Sequence, residues 1–163
     1  QVDDRIEPLV SVLMLAWNHE STITQAIESI ISQKCDFPFE LLIGEDCSSD
    51  STLTICHQFL KEHPKVVRLF TSDVNVGMHR NFARLWRRAR GKYVAFCEGD
   101  DFWVDENKLA KQVEWFQAHA AFTLCGAHTK KIKKDSSGNW ILSGLIGTAN
   151  IKEKYDIQDL MTR

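Results

Sequence analysis

Between Val10 and Phe116 the chain alternates short, nearly unbroken apolar runs with stretches in which apolar residues recur every third or fourth position. The first pattern fits buried strands and the second fits one face of a helix. Val10-Ser11-Val12-Leu13-Met14-Leu15-Ala16 is too apolar for a strand with one wet face, which predicts a central strand covered on both sides. It stops at Trp17-Asn18-His19-Glu20. From Ser21 onward Ile23, Ala26, Ile27, Ile30 and Ile31 share a helical stripe, with Ser21 or Thr22 available as its N-cap.

The unit then recurs. Phe39-Glu40-Leu41-Leu42-Ile43-Gly44 predicts a second strand, Glu45-Asp46-Cys47-Ser48-Ser49-Asp50 a polar loop, and Asp50 a cap for a helix carrying Leu53, Cys56, Phe59 and Leu60. Pro64 closes that helix, and Val66-Val67-Arg68-Leu69-Phe70 gives a third strand. Asn75-Val76-Gly77 marks a turn before a helix of Phe82, Leu85, Trp86 and Ala89, with Gly91 as the residue just past its end. Lys92-Tyr93-Val94-Ala95-Phe96 predicts a fourth, buried strand, followed by Leu109, Val113 and Phe116 at helical spacing with Asp105 or Asn107 near the helix start. Beyond Phe122 the pattern weakens, and Thr123-Leu124-Cys125-Gly126-Ala127 and Trp140-Ile141-Leu142 are the candidate strands around the polar turn Asp135-Ser136-Ser137-Gly138. Four strands alternating with four helices predict an α/β fold with a parallel sheet and right-handed crossovers.

Such a sheet binds ligands outside the carboxyl ends of its strands. Asn18 and Glu20 follow the first strand, Glu45 and Asp46 the second, and Glu98, Asp100 and Asp101 the fourth, so one edge would gather acceptors suited to a nucleoside and a metal. The triplet in Glu98-Gly99-Asp100-Asp101 is the sharpest signal. Carboxylates crowded at the end of an apolar strand repel one another unless a cation or hydrogen-bond donors compensate, and a hard divalent cation bridging to phosphate oxygens meets that need. Simpler readings stand beside these: Asp46 and Ser48 to Asp50 as a loop and cap, Asn18 as a turn residue, and Glu98 to Asp101 as a tight turn with solvated acids. Trp17 either stacks on a base or covers the core.

Length and composition narrow the class. A chain of 163 residues, 44% hydrophobic and 26% charged, is one domain's worth of a soluble globular protein. The net charge of -2 implies no nucleic-acid partner. It hides basic clusters at Arg80 to Lys92 and at Lys130, Lys131, Lys133 and Lys134. Arg84, Arg87, Arg88 and Arg90 read as a solvated helix face, whereas Arg80 and Asn81 stand at the helix start, where a guanidinium would offset phosphate charge. Trp86, Trp115 and Phe116 read as core. Five cysteines without a C-x-x-C pair fit a reducing, cytoplasmic setting, and no apolar run approaches the roughly 18 residues of a membrane span. The six histidines show no zinc spacing, and neither a G-x-G-x-x-G fingerprint, a P-loop nor a serine nucleophile elbow is present.

In order along the chain, Val10 to Glu20, Glu40 to Thr52, Asn75-Val76-Gly77, Arg80-Asn81 and Gly91 to Asp101 resemble the amino-terminal, nucleotide-sugar-binding part of family 2 glycosyltransferases, which have the GT-A fold. Glu98-Gly99-Asp100-Asp101 occupies the place of that family's D-x-D motif. The resemblance implies a Rossmann-like GT-A parallel-sheet core at 10–120 and the start of an acceptor-side region at 121–163, in a single domain (1–163) truncated at its carboxyl end. It implies that Ala16, Trp17, Asn18, Glu20, Asp46, Asn75, Arg80 and Asn81 surround the nucleotide sugar, with Asp46 the foremost base contact. Asp100 would ligate Mn²⁺ or Mg²⁺ at the diphosphate, aided by Glu98 or Asp101.

The family inverts the anomeric centre by direct displacement with a carboxylate base, and that base is expected beyond Arg163. A nucleotide-diphospho-sugar donor, a saccharide or lipid-linked acceptor, and peripheral contact at the inner membrane face follow from the same likeness. Departures are plain: Leu15 and Ala16 stand where Pro-Thr is usual, Trp17 for Tyr, and Glu45 and Glu98 for Asp. Three alternatives remain: a nucleotidyltransferase of similar topology, a receiver-like signalling module and a non-catalytic nucleotide-binding domain. The first wants a Gly- and basic-rich loop after the first strand, and the second a lone acceptor Asp with a later lysine.

Overall fold

A computed structural model describes residues 7–146. The chain divides into two compact units with the boundary after Ala120. The first unit carries β1 (Val10–Ala16), α1 (Ile23–Ile31), β2 (Phe39–Glu45), α2 (Thr52–Glu62), β3 (Val67–Phe70), α3 (Met78–Trp86), β4 (Tyr93–Phe96) and α4 (Lys108–Ala118). The second carries β5 (Thr129–Lys134) and β6 (Trp140–Ile146), an antiparallel pair.

The four strands of the first unit form one parallel sheet in the order β3-β2-β1-β4. Alternation along each strand splits its apolar side chains between two cores. Val12, Met14, Leu41, Ile43 and Val67 pack on one face with Ile23, Ile27 and Ile30 of α1, Cys56 and Phe59 of α2, and Leu109 and Val113 of α4. On the other face Leu13 and Leu42 meet Leu85, so α3 makes that second layer among the described residues.

Glu40 interrupts the apolar second face, and the chain surrounds it with donors. Its carboxylate accepts from Ser11 Oγ at 2.7 Å, from Arg68 at 2.9 Å and from the Arg90 amide and guanidinium at 3.0–3.1 Å. Burial pushes the Glu40 carboxyl up, but these hydrogen bonds outweigh it and hold the group below the ordinary range. The network crosses β1, β2, β3 and the approach to β4, fixing their order at the end of the sheet remote from the strand-end loops.

Several expectations are corrected. β4 is the outer strand rather than a buried one, and Phe96 is 51% exposed, because no described strand pairs beyond it. Its residues lean instead on α3, with Phe82 stacked between Trp86 and Phe96 and Trp86 itself exposed rather than core. Gly91 does not end α3, which stops at Trp86. A side chain at Gly91 would strike the β1 backbone, 2.5 Å from the Ser11 nitrogen, so glycine there lets the chain pass close to the sheet. The arginine face is only partly solvated, since Arg84 and Arg90 are fixed by several hydrogen bonds each.

No described helix takes a side-chain cap at its N-cap residue. Thr22 spends its hydroxyl elsewhere, while Asp50 and Asp105 each receive an amide two residues on, at Thr52 and Asn107. In the second unit the first strand of the hairpin is the lysine-rich Thr129–Lys134, not Thr123 to Ala127. The turn dictates this. Asp135 pairs its amide with the Asn139 carbonyl at 2.8 Å and Gly138 has φ 83°, so pairing must begin directly beside the turn whatever the hydrophobicity of the flank. No described helix is long and apolar enough to cross a membrane.

Candidate active site

All the strand-end loops of the first unit singled out by sequence are tied to one another. β1 and β2 run in register to Ala16 and Glu45, and the Asp46 amide continues the ladder to the Ala16 carbonyl at 3.0 Å. Beyond it Asn18, with φ 56°, gives its amide to Ser48 Oγ, and its side-chain oxygen accepts from the Ser49 amide at 2.8 Å. Glu20 and Asp50 exchange places: the Glu20 amide reaches the Asp50 carboxylate, and the Glu20 carboxylate accepts from the Ser51 amide. Asn18 and Glu20 therefore shape the loop pair with their side chains.

Asp46 is 3% exposed, and its two carboxylate oxygens accept the Val76 and Gly77 amides at 2.8 Å each. Asn75 closes the same turn by accepting the Gly77 amide. Asn81 turns inward: its amide donates to the Gly44 carbonyl at 2.7 Å and its oxygen accepts from Arg84. Arg84 then reaches the carbonyls of Glu45, Phe70 and Thr71. Asn81 is a strut between α3 and β2, with no side-chain amide atom facing outward. Arg80 is exposed in the first turn of α3. Trp17 is 53% exposed, so it does not cover the core.

After β4 the chain bends back along β1. The Gly99 amide donates to the Leu15 carbonyl at 3.0 Å, Thr22 Oγ1 to the Gly99 carbonyl at 2.9 Å, and the Asp101 amide to the Glu98 carbonyl. Gly99 is buried while Glu98, Asp100 and Asp101 are exposed around it. Partial burial, then the negative charges of Asp100 and Asp101, push the Glu98 carboxyl up, and His19 opposes them. Burial and Asp100 push Asp101 up as well. Among the described residues no three His, Cys, Asp or Glu side chains form a ready-made metal cage.

Two more residues belong to this edge: Glu45, which the sequence already placed there, and His19, which the sequence pattern passed over. Glu45 is fully buried, with one carboxylate oxygen accepting the Ser48 amide at 2.7 Å and the other without a partner among the described residues. His19 has a buried Nδ1, also without a partner. Neither stands at a recognisable ligand spacing; the signal was only their place at strand ends.

A parallel sheet in this order, with an acid fixed at the end of β2 and a carboxylate triplet after β4, is the GT-A fold that solved glycosyltransferases share. The chain belongs to glycosyl transferase family 2, whose sequence pattern matches residues 11–160. It is 32% identical over 121 residues to TuaG, a putative teichuronic acid biosynthesis glycosyltransferase of Bacillus subtilis, covering 74% of this chain and 47% of that protein. It is 36% identical over 113 residues to the poly(ribitol-phosphate) beta-N-acetylglucosaminyltransferase TarS of Staphylococcus aureus, covering 67% and 19%. The crystal structure of TarS residues 1–349 with UDP superposes with a TM-score of 0.60 at 27% identity over 68% of this chain and 32% of that one. A mannosyltransferase of Pyrobaculum calidifontis, solved with GDP-Man and Mn²⁺, shares the fold at a TM-score of 0.60 and 23% identity, over 71% and 34%. The chain spans less than half the length of these relatives.

Proposed function

We propose that this chain forms the donor-binding part of a glycosyltransferase that moves a sugar from a nucleotide-diphospho-sugar to an acceptor hydroxyl with inversion, in surface polysaccharide or glycoconjugate synthesis. The observation that carries this is the fastening of three strand-end loops into one edge, beside an acid loop whose carboxylates repel one another. The named activities of TuaG and TarS support the pathway class, and the UDP of the TarS structure supports a nucleotide donor.

The acid loop fits a divalent cation by its chemistry. Glu98 and Asp101 are both pushed toward protonation by burial and neighbouring negative charge, a strain that a cation relieves. Mg²⁺ is ordinarily bound by one or two carboxylates together with substrate phosphates, a role these side chains would fill. Asp100 is the principal ligand, aided by Glu98 or Asp101. When bound, the ion neutralises the leaving diphosphate.

The chain's own residues do the remaining work. Asp46 retains lone pairs beyond those taken by Val76 and Gly77 and accepts a base N–H, with Asn18, Glu20, Ala16 and Asn75 shaping the walls around base and ribose. Trp17 offers an exposed ring face to the nucleoside, and the exposed guanidinium of Arg80 faces phosphate charge. Asn81 acts behind them as a support. The acceptor-side carboxylate base is assigned to none of these residues.

The test is product analysis with a protein carrying the additional length of the relatives, supplied with UDP- and GDP-sugars and Mn²⁺. Release of the nucleoside diphosphate with inverted anomeric configuration in the product, read by NMR, is the expected result. Binding without any hydrolysis or transfer would leave a nucleotide-binding module, and retained configuration would refute direct displacement.

A further inference from the structure

The His19 side chain is wedged against the acid loop. A methyl group built on Gly99 would overlap the His19 ring at Nδ1 and come within 2.9 Å of Ile23 Cδ1 and 3.1 Å of the Leu15 carbonyl. The space under Gly99 is therefore filled by the imidazole. Nδ1 is buried and has no hydrogen-bond partner among the described residues, so the ring is held there by its backbone and packing.

The backbone of His19 is pinned on both sides. Its amide donates to Thr52 Oγ1 at 2.8 Å, at the start of α2, and its carbonyl accepts from the Thr22 and Ile23 amides at 2.9 and 2.8 Å, at the start of α1. The Thr22 hydroxyl next to it also holds the Gly99 carbonyl at 2.9 Å. One residue thus touches the loop after β1, the first turns of two helices and the peptide in the middle of the carboxylate triplet. Its electrostatic influence on Glu98, opposing the two aspartates, is consistent with that closeness.

We infer that His19 is a positioning residue for the acid loop, with its ring under Gly99 setting where Glu98 and Asp100 stand at the sheet edge. The inference rests on the donor-site reading above. It assigns His19 no contact with substrate. Its consequence is selective: disturbing the His19–Gly99 contact changes how the loop accepts a cation and leaves the Asp46 end of the site alone, because Asp46 is fixed by Val76, Gly77 and Ala16.

The experiment is calorimetric titration of the chain with UDP and GDP, each with and without Mn²⁺, on wild type, His19→Ala, Gly99→Ala and the double variant. Wild type should show tighter binding of one nucleotide with Mn²⁺. Each single variant should lose about tenfold of that metal-dependent gain, the scale seen when a residue that orients a metal ligand is removed, with metal-free affinity unchanged. The double variant should be no worse than Gly99→Ala alone, because the truncated ring leaves room for the added methyl; independent effects would instead add.

Equal loss with and without metal, additive losses in the double variant, or a full metal-dependent gain in Gly99→Ala would each overturn the role of His19 while leaving the donor site standing. Wild type binding neither nucleotide more tightly with Mn²⁺ would overturn both. Should His19→Ala fail to fold, Gly99→Ala decides alone: selective loss of the metal-dependent gain supports the contact, and equal loss with and without metal overturns it.

Discussion

The carboxylate of Asp46 accepts the amide of Gly77 at 2.8 Å across thirty-one positions of sequence, and in doing so fastens the end of β2 to the turn that starts α3. Val76 binds the other oxygen at the same distance. The geometry makes Asp46 a joint of the site before it is a ligand of anything. Removing it should act twice, on the turn and on whatever nucleoside lies against it.

Asp46→Ala leaves two amides without their acceptor, and each charge-assisted hydrogen bond is worth about 1.5–3 kcal/mol. The variant should unfold at clearly lower urea concentration and bind nucleoside diphosphate more weakly even without metal. A variant of unchanged metal-free affinity would reduce Asp46 to a loop fastener.

Glu40 predicts a different response, because it lies in the network with Ser11, Arg68 and Arg90 and faces no strand-end loop. Glu40→Ala strands two guanidinium groups and should destabilise the fold by about 3 kcal/mol. Metal-dependent nucleotide affinity should stay within twofold of wild type.

The pH dependence follows from opposite shifts. Glu40 sits below its ordinary pKa in the folded chain, so its stabilisation is complete above the unfolded value near 4.5 and fades as pH falls through the lower folded value. Glu98 and Asp101 sit above theirs, so their contribution favours the fold at low pH and is lost as pH rises through the folded values. Glu98→Gln and Asp101→Asn should therefore raise the metal-free melting temperature at pH 7 relative to wild type, with the advantage shrinking as the medium is acidified. Thermal unfolding from pH 4 to 8 checks this. A lower melting temperature for both variants at pH 7 would contradict the repulsion.

Cysteine reactivity gives a test independent of ligands. Burial pushes the Cys56 and Cys97 thiols up to about 12, whereas Cys47 is exposed. Iodoacetamide at pH 8 should label Cys47 long before Cys56 or Cys97 in the folded chain, and mass spectrometry reads the order.

The four β-α units were legible because short apolar runs alternate with helical stripes, as with Val10 to Ala16 and Ile23 to Ile31. The site was legible in part, since strand ends are where a parallel sheet exposes polar chemistry. What sequence could not give was direction. Asn81 looks like a ligand-facing residue and Arg84 like part of a solvated helix face, yet both point at β2, and Glu45 looks like a loop acid although it is fully buried. His19 carried no motif at all, because its place depends on a glycine eighty positions later. The hairpin went astray at Thr123 to Ala127 because a tight turn outranked hydrophobicity in setting the strand.

Asp100 carries the central claim that this edge holds a nucleoside diphosphate through a divalent cation. The most direct measurement is calorimetric titration of UDP and GDP, with and without Mn²⁺, into wild type and Asp100→Ala. Mn²⁺ should tighten binding of one nucleotide to wild type, and Asp100→Ala should abolish this gain while keeping the weaker metal-free binding. Equal metal-dependent binding by Asp100→Ala and wild type would contradict the claim.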